Sequence, residues 1–503
     1  YRYMKFLGVR VGEHDSNITY TDGVNVKYFK PERVNQIKHF AYNDIFSWLE
    51  SSFYLKYNLK DIDAIAFVLD SYQFPWLSDC KTDDLYQLIN IPYPIFTELK
   101  CPIYKIDHHY AHSLSSWMLT SNSDVDFVID GYGDFEKSCS VFKNNKLLKH
   151  YTLNDIYSLG KFLSYESKQL LNVQGLDMDI AGKVMALQSF GHVNKEFYNY
   201  IKQFNFEESK NIYDFKVFRK TVGSDIVVGH KVLDFVTTVH KRMEEIIPDF
   251  FTKYIDKHTF TYSGGVAQNI CINTNIKKLS NNIVIPPHCA DEGLSLGCVE
   301  FLRRQYEQPV FDKSNFPFWQ TDVEPDTTPS DTLIKQTAKG LAKGKIVGWY
   351  QGHGEIGPRA LGNRSILMSP EIKDGKSILN KKVKHREDYR PFAASIKLDK
   401  TKNYFDWEGE SEFMLYSVKF KNKVFDSIAH VDKTSRIQTV KPNHEYFYRL
   451  LDEFEKLTGL PMLLNTSLNN NGRPIAGKPE DAFALLKHSD LDFLVVGDCV
   501  YRK

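Results

Sequence analysis

The run Asp107-His108-His109-Tyr110-Ala111-His112 has the residue types for metal chemistry. If residues 111–120 form a helix, His108 and His112 stand at i and i+4 near its start and share one face. Two imidazoles so placed can bind one cation, and imidazole nitrogen suits zinc or ferrous iron better than magnesium. The other reading is a set of polar residues around a helix N-cap. Carboxylates at the ends of two strands would complete a metal site: Asp130 after residues 125–129 and Asp291 after residues 283–287.

A second group of residues suits anions. Gln351 to Ser365 reads Gln-Gly-His-Gly-Glu-Ile-Gly-Pro-Arg-Ala-Leu-Gly-Asn-Arg-Ser, a glycine-rich loop with Arg359 and Arg364. It is not a Walker A loop, because G-x-x-x-x-G-K-[ST] is absent. Lys381, Lys382, Lys384, Arg386 and Arg390 follow closely. Of the chain's 15 arginines, four fall within residues 359–390, where even spacing would give about one. Guanidinium forks bind phosphate or carboxylate bidentately, which lysine cannot do; a solvated basic face is the competing reading. Asn465-Thr466-Ser467-Leu468-Asn469 adds neutral hydrogen-bonding groups. Ser263-Gly264-Gly265-Val266-Ala267-Gln268-Asn269 lies between a β-prone stretch and a helical one. That arrangement suits either a nucleotide phosphate or a plain tight turn. Gly182-Lys183-Val184-Met185 allows a phosphate-binding lysine or a surface one.

The elements that must position these residues are alternating strands and helices. The pattern predicts a strand over 5–11, a hairpin of 17–20 and 26–29, an amphipathic helix over 41–57 and a buried strand over 62–69. It begins again at Asp126: apolar residues 127–129, an acidic glycine turn over 130–134, and a hairpin of 139–142 and 147–151 around Asn144-Asn145. Two such units about 120 residues apart suggest a duplicated α/β core. Residues 308–331, rich in Pro, Asp and Thr, read as a linker. A helix over 332–343 and a strand over 345–350 open a separate α/β domain. The expected division is 1–310, a linker 311–331, and 332–503.

The 503 residues carry a net charge of +1, so no global basic footprint marks a nucleic-acid binder. No apolar run approaches a membrane span, and no signal peptide is apparent. Seven cysteines, at 80, 101, 139, 271, 289, 298 and 499, include no C-x-x-C pair. This argues against a disulfide framework or thiolate zinc site and for a reducing cytoplasm. Forty-nine lysines against 17 alanines point to an AT-rich genome, such as a phage's; the location would then be the host cytoplasm.

Taken together and in this order, the motifs resemble the NodU/CmcH-type O-carbamoyltransferases over nearly the whole chain. The matching residues are Gly12-Glu13-His14-Asp15, with Glu13 inserted, then Glu32-Arg33, Lys38-His39, His108–His112 and Asp130–Gly133. They continue through 182–185, 263–269, 357–365, 383–392 and 465–469. The resemblance implies an N-terminal duplicated actin-like ATPase (threonylcarbamoyl-transferase-like) domain and a C-terminal YrdC-like α/β domain. It implies that the second makes carbamoyl-adenylate from carbamoyl phosphate and ATP, that the intermediate passes through an internal channel, and that the first transfers the carbamoyl group to an acceptor hydroxyl.

The residues implied for the anion and nucleotide sites are Lys183, Gly264, Gly265, Val266, Asn269, Arg359, Arg364, Lys384, Arg386, Arg390, Asn465 and Ser467. Those implied for catalysis are His14, Asp15, Lys38, Arg359 and Arg364, with His14 or Asp15 as the base. The metal set is His108, His112, Asp130 and Asp291, holding Fe²⁺ or another divalent ion, with Mg²⁺ accompanying ATP. His353 and Glu292 depart from the family's usual residues.

The acceptor stays open between a small hydroxylated metabolite or sugar and a 5-hydroxymethylpyrimidine in phage DNA. The sequence does not set the oligomeric state. A tRNA threonylcarbamoyl transferase would share the first half but lacks a fused 357–365 type of domain. A sugar kinase would leave the His pair unexplained. A non-catalytic nucleotide-binding protein would leave both clusters without a purpose.

Overall fold

The computed structural model describes the chain apart from residues 1, 71–72, 75–76, 78–83, 121–122, 225 and 256–258; Cys80 lies outside the described residues. Strand β1 (Phe6–Val11) is followed in sequence by a hairpin of β2 (Asn17–Thr21) and β3 (Val26–Phe29), then by β4 (Ala64–Leu69), β5 (Tyr86–Leu88) and β6 (Ile103–Ile106). The order recurs. Strand β7 (Ser123–Ile129) precedes a hairpin of β8 (Lys137–Lys143) and β9 (Lys146–Thr152), then β10 (Thr259–Ser263) and β11 (Ile283–Val284). This is the duplication expected from the sequence. Asn144 and Asn145 turn the second hairpin with φ of 51° and 61°, the left-handed pair that a tight hairpin turn requires.

The chain forms two compact units: residues 6–12 with 63–308, and residues 1–5 with 13–62 and 309–503. In the first, β1, β4 and β6 pair in parallel and β5 pairs antiparallel to β6. Beside β7, β10 and then β11 pair in parallel on one side, and the antiparallel hairpin lies on the other. β1 and β4 are buried throughout, which suits parallel strands covered on both faces. The helix Leu294–Gln305 packs on β1 and on the helix His108–Trp117. Two glycines permit the approach. A Cβ on Gly8 would stand 2.2 Å from the Ser295 carbonyl oxygen, and one on Gly297 2.0 Å from that of Ala111.

In the second unit, β12 (Val347–Tyr350), β13 (Arg364–Met368), β14 (Ala393–Lys397), β15 (Ser417–Lys419), β16 (Thr434–Val440), β17 (Met462–Ser467), β18 (Phe493–Val496) and β19 (Cys499–Tyr501) form one mixed sheet. Its order is β15-β16-β14-β17-β13-β12-β18-β19. Helices Asp331–Ala342 and Glu445–Thr458 pack on each other.

The helix expected over 41–57 is a correction: only Ser47–Glu50, a 3₁₀ turn, and Ser51–Leu55 are helical. Local polar groups win over the apolar period. The Tyr42 N–H donates to Ser16 Oγ at 2.9 Å. Asp44 Oδ1 accepts from the Phe46 and Ser47 N–H groups at 2.7 Å each, starting the helix late.

Asp126 on β7 is fully buried. It accepts from Thr261 Oγ1 at 2.6 Å and Ser123 Oγ at 2.8 Å, yet burial pushes its carboxyl up to about 7. The folded value exceeds the unfolded one, so the fold favours the neutral acid. That contribution is complete below about pH 4 and is lost as pH rises toward 7. Asp126→Asn should shrink the difference in melting temperature between about pH 5 and about pH 8. An undiminished difference would assign the pH dependence elsewhere.

Candidate active site

The metal cluster lies wholly within the first unit. Asp107, at the end of β6, caps the helix His108–Trp117: its Oδ1 accepts from the Tyr110 N–H at 3.0 Å, and its Oδ2 pairs with Lys137. The cap starts the helix at His108, earlier than expected, and places His108 and His112 on one face with ring centroids 4.9 Å apart. Asp130 follows β7, and Asp291 opens the turn before Leu294–Gln305. His108 Nε2 stands 3.2 Å from Asp130 Oδ2 and 3.3 Å from Asp291 Oδ1; His112 Nε2 stands 3.6 and 3.4 Å from the same atoms. All four ligand atoms fall within 4.8 Å of one another, and all four residues are buried.

These residues fit a divalent ion. Neither ring nitrogen of His112 makes a hydrogen bond of normal geometry, and two carboxylates neutralise two positive charges. Two nitrogens and two oxygens suit iron or zinc. Without an ion, protons take its place. Burial disfavours charge on His108, but Asp291 and Asp130 hold its pKa well above the usual imidazole range. Burial likewise opposes ionisation of Asp130, but His108 and His112 hold it well below the carboxylate range.

The other oxygens of both carboxylates are already used. Asp130 Oδ1 accepts from the Gly265 N–H at 2.8 Å. Asp291 Oδ2 accepts from Arg10 Nη2 at 3.2 Å, and Arg10 also forks onto Asp70 at 2.6 and 3.2 Å. Neither Arg10 nor Asp70 stands in a motif that would mark it from sequence. Glu292, beside Asp291, is buried and accepts from Gln268 at 3.4 Å.

The glycine pair is accounted for by packing. Gly264 has φ 91°, and a Cβ there would stand 2.3 Å from the Ile129 carbonyl oxygen. Val266 is buried. Asn269 caps the helix Ile270–Lys277 through Oδ1 and meets His240 Nε2 through Nδ2 at 2.9 Å. Lys183, inside the helix Asp177–Leu187, donates to the Gln174 carbonyl at 2.7 Å.

The second unit holds the other predicted residues. Asp15, at φ 52°, is the centre of a small network. Lys30 Nζ stands 2.8 Å from Asp15 and 3.2 Å from Glu32. His14 Nδ1 and His39 Nδ1 approach Asp15 Oδ2 at 3.1 and 2.9 Å. Burial raises the Asp15 carboxyl, but Lys30 and His39 hold it well below the usual range. Asp15 is therefore a poor proton acceptor; the side chain of His14, 30% exposed, is the remaining candidate of the two.

Six cations share one field in this unit: Lys38, Arg359, Lys384, Arg386, Arg390 and Arg436. Lys384 is buried and donates to the Ser467 and Asn469 carbonyl oxygens at 2.8 Å each. Burial, then Arg386, Arg390 and Lys38, depress its pKa well below the usual lysine value. Arg386 is driven down to about 9 by burial and then by Arg390, despite a 2.8 Å bond to Asn380. Arg436, on β16, is also depressed, by burial and then by Arg359, Arg386 and Arg390. Its guanidinium has no hydrogen bond or ion pair with any described residue, and its Nε is buried. Arg436 was missed in the sequence because it lies 46 positions beyond Arg390. The parallel register of β14 and β16, Ala393 opposite Arg436, returns it to the cluster.

Arg364, by contrast, is engaged by protein groups. It is fully buried, pairs with Asp322 at 3.0 Å, stacks on Tyr350 at 3.6 Å and donates to the Gln351 and Gly352 carbonyls. Its partner Asp322 lies in the segment read as a linker. Glu355 Oε1 accepts from the Leu361, Asn363 and Arg364 N–H groups, so the loop before β13 curls around a buried carboxylate. Asn465 is consumed similarly, donating to Ser395 Oγ at 2.9 Å. His353 pairs with Glu324 near the surface at 3.0 Å.

Residues 85–299 match the model for the carbamoyltransferase N-terminus, and residues 338–503 match that for the carbamoyltransferase C-terminus. The chain is 30% identical over 443 residues to nodulation protein NolO of Bradyrhizobium diazoefficiens, covering 79% of each. It is 28% identical over 541 residues to nodulation protein NolNO of Sinorhizobium fredii, covering 96% of this chain and 78% of that one. To the 3'-hydroxymethylcephem-O-carbamoyltransferase of Streptomyces clavuligerus it is 32% identical over 276 residues, 52% of each chain. Among the described residues no helix is long and apolar enough to cross a membrane.

Proposed function

Because the chain belongs to the carbamoyltransferase family, we propose that it is an ATP-dependent O-carbamoyltransferase acting through carbamoyl-adenylate. The observation that carries this reading is Arg436, a half-buried guanidinium beside Arg359, Arg386 and Arg390 with no counter-ion among the described residues. Like charges crowded partly out of water call for a counter-ion, and several phosphate groups meeting at one point would supply it.

The proposed reaction has two parts, assigned to residues 332–503 and 1–310. Carbamoyl phosphate and water give carbamate and phosphate. Carbamate then attacks the α-phosphorus of ATP, forming carbamoyl-adenylate and releasing pyrophosphate. Carbamate alone is a poor electrophile because its charge is delocalised; adenylation removes that charge and supplies AMP as leaving group. Arg359, Lys384, Arg386, Arg390 and Arg436 bind the phosphates, while Arg364, Glu355 and Asp322 shape the loop that presents Arg359. The acceptor hydroxyl then attacks the carbamoyl carbon, giving the O-carbamate, AMP and one proton. His14, oriented by Asp15, takes that proton. His108, His112, Asp130 and Asp291 would hold a divalent ion, which when bound would supply Lewis-acid polarisation. The acceptor is a small hydroxylated molecule.

Mass spectrometry after incubation with ATP, carbamoyl phosphate, Mg²⁺ and Fe²⁺ tests this, with a sugar and aminoglycoside panel in some tubes and hydroxymethylcytosine DNA in others. The expected result is AMP release with a gain of one carbamoyl group on a small acceptor. A gain on DNA instead would replace the acceptor proposal. Neither AMP nor adenylate in any tube would overturn the reaction.

A further inference from the structure

Each carboxylate of the metal cluster turns one oxygen toward the histidines and has the other held by a donor. Gly265 N–H holds Asp130 Oδ1, and Arg10 Nη2 holds Asp291 Oδ2. The second hold is made by a side chain that is itself fixed. Arg10 is 2% exposed, forks onto Asp70 and donates to the Val11 carbonyl at 3.0 Å. Gly12 leaves just enough room: a Cβ there would stand 2.2 Å from Asp70 Oδ2 and 2.3 Å from Arg10 Nη1. Neither partner can therefore drift far.

We propose that the Arg10–Asp70 pair is a positioning element that restricts Asp291 to one-oxygen ligation, keeping coordination positions open at the metal. The inference rests on the metal reading above. A carboxylate with both oxygens available can chelate and fill a position that substrate or water would otherwise occupy. With both carboxylates held, the protein would supply four donors, and an ion that prefers six would retain two positions. The charges also balance. Asp130 and Asp291 neutralise the dication, and Asp70 neutralises Arg10, so the guanidinium directs Asp291 without adding net charge to the cluster. Partners outside the ligand sphere commonly tune both geometry and affinity in this way.

Mn²⁺ is a suitable probe, because water-proton relaxation reports how many exchangeable waters a bound Mn²⁺ keeps. In Arg10→Met, Asp291 Oδ2 loses the guanidinium that turns it from the metal, and a nearby cation is gone. Mn²⁺ should bind as tightly as in the wild type or more tightly, while relaxivity per bound ion falls by about one water's share. In Asp70→Asn, the guanidinium keeps its hold but loses its counter-charge. Mn²⁺ affinity should then fall, by about tenfold, with relaxivity unchanged. Loss of affinity in both variants alike, or wild-type relaxivity in Arg10→Met, would overturn the inference and leave the pair a packing feature. If Arg10→Met does not fold, Asp70→Asn decides: affinity at or above wild type overturns it. Failure of the wild-type chain to bind Mn²⁺ at all would overturn the metal reading, and this inference with it.

Discussion

In Arg436→Leu, carbamoyl-adenylate formation is lost while the protein becomes no less stable, and a higher melting temperature is the expected result. The two effects have one cause. Arg436 sits among Arg359, Arg386 and Arg390, and burial and mutual repulsion both disfavour its charge. It has no ion pair or hydrogen bond with the described residues, so its removal breaks none. Replacing such a charge with an apolar side chain is neutral or stabilising, here by about 1–2 kcal/mol. The activity change is opposite in sign. A guanidinium aimed at developing phosphate charge is worth about 10²–10³ in rate. Adenylate formation in the variant should fall by at least that factor, with ATP and carbamoyl phosphate both at saturation. Arg364→Met is the contrast. It breaks the buried pair with Asp322 and strands a carboxylate, so stability falls along with activity. If Arg436→Leu melted lower than wild type, Arg436 would be a structural residue and the anion pocket would have to be drawn without it.

His108→Ala separates the two half-reactions in the other direction. It removes one of four ligand atoms and leaves Asp130 and Asp291 facing each other across the vacated volume. Carbamoyl transfer should fall by about 10³-fold, the scale of a lost Lewis acid worth several kcal/mol. Adenylate formation, assigned to residues of the other compact unit, should stay within about threefold of wild type, well under one kcal/mol of barrier. The adenylate then accumulates instead of turning over. Bound divalent metal, measured by dialysis against Mn²⁺, should be lost in the same variant.

What the sequence made legible was local. A histidine pair at i and i+4, acidic residues just past β7 and β11, and an Asn-Asn turn in a hairpin each follow from a few neighbouring residues. The metal quartet was readable for that reason. The rest depended on pairing between distant strands. Arg436 joins the other arginines through the β14–β16 register, and Arg10 reaches Asp70 because β1 and β4 run side by side, Arg10 opposite Val68. Burial was the other unreadable quantity. Arg359 and Arg364 look alike in a glycine-rich loop, yet Arg364 alone is sealed against Tyr350 and Asp322. The helix expected over 41–57 failed because Ser16 and Asp44 offer the backbone hydrogen bonds that an apolar period does not register.

In the proposed reaction one chain makes carbamoyl-adenylate with its arginine cluster and consumes it with its histidine–aspartate cluster. The most direct measurement is the mass spectrum of the nucleotide pool after His108→Ala is given ATP, carbamoyl phosphate, Mg²⁺ and an acceptor that the wild type modifies. The expected result is a carbamoyl-adenylate peak and an unmodified acceptor. Acceptor modified as in wild type, or no adenylate from either protein, would contradict it.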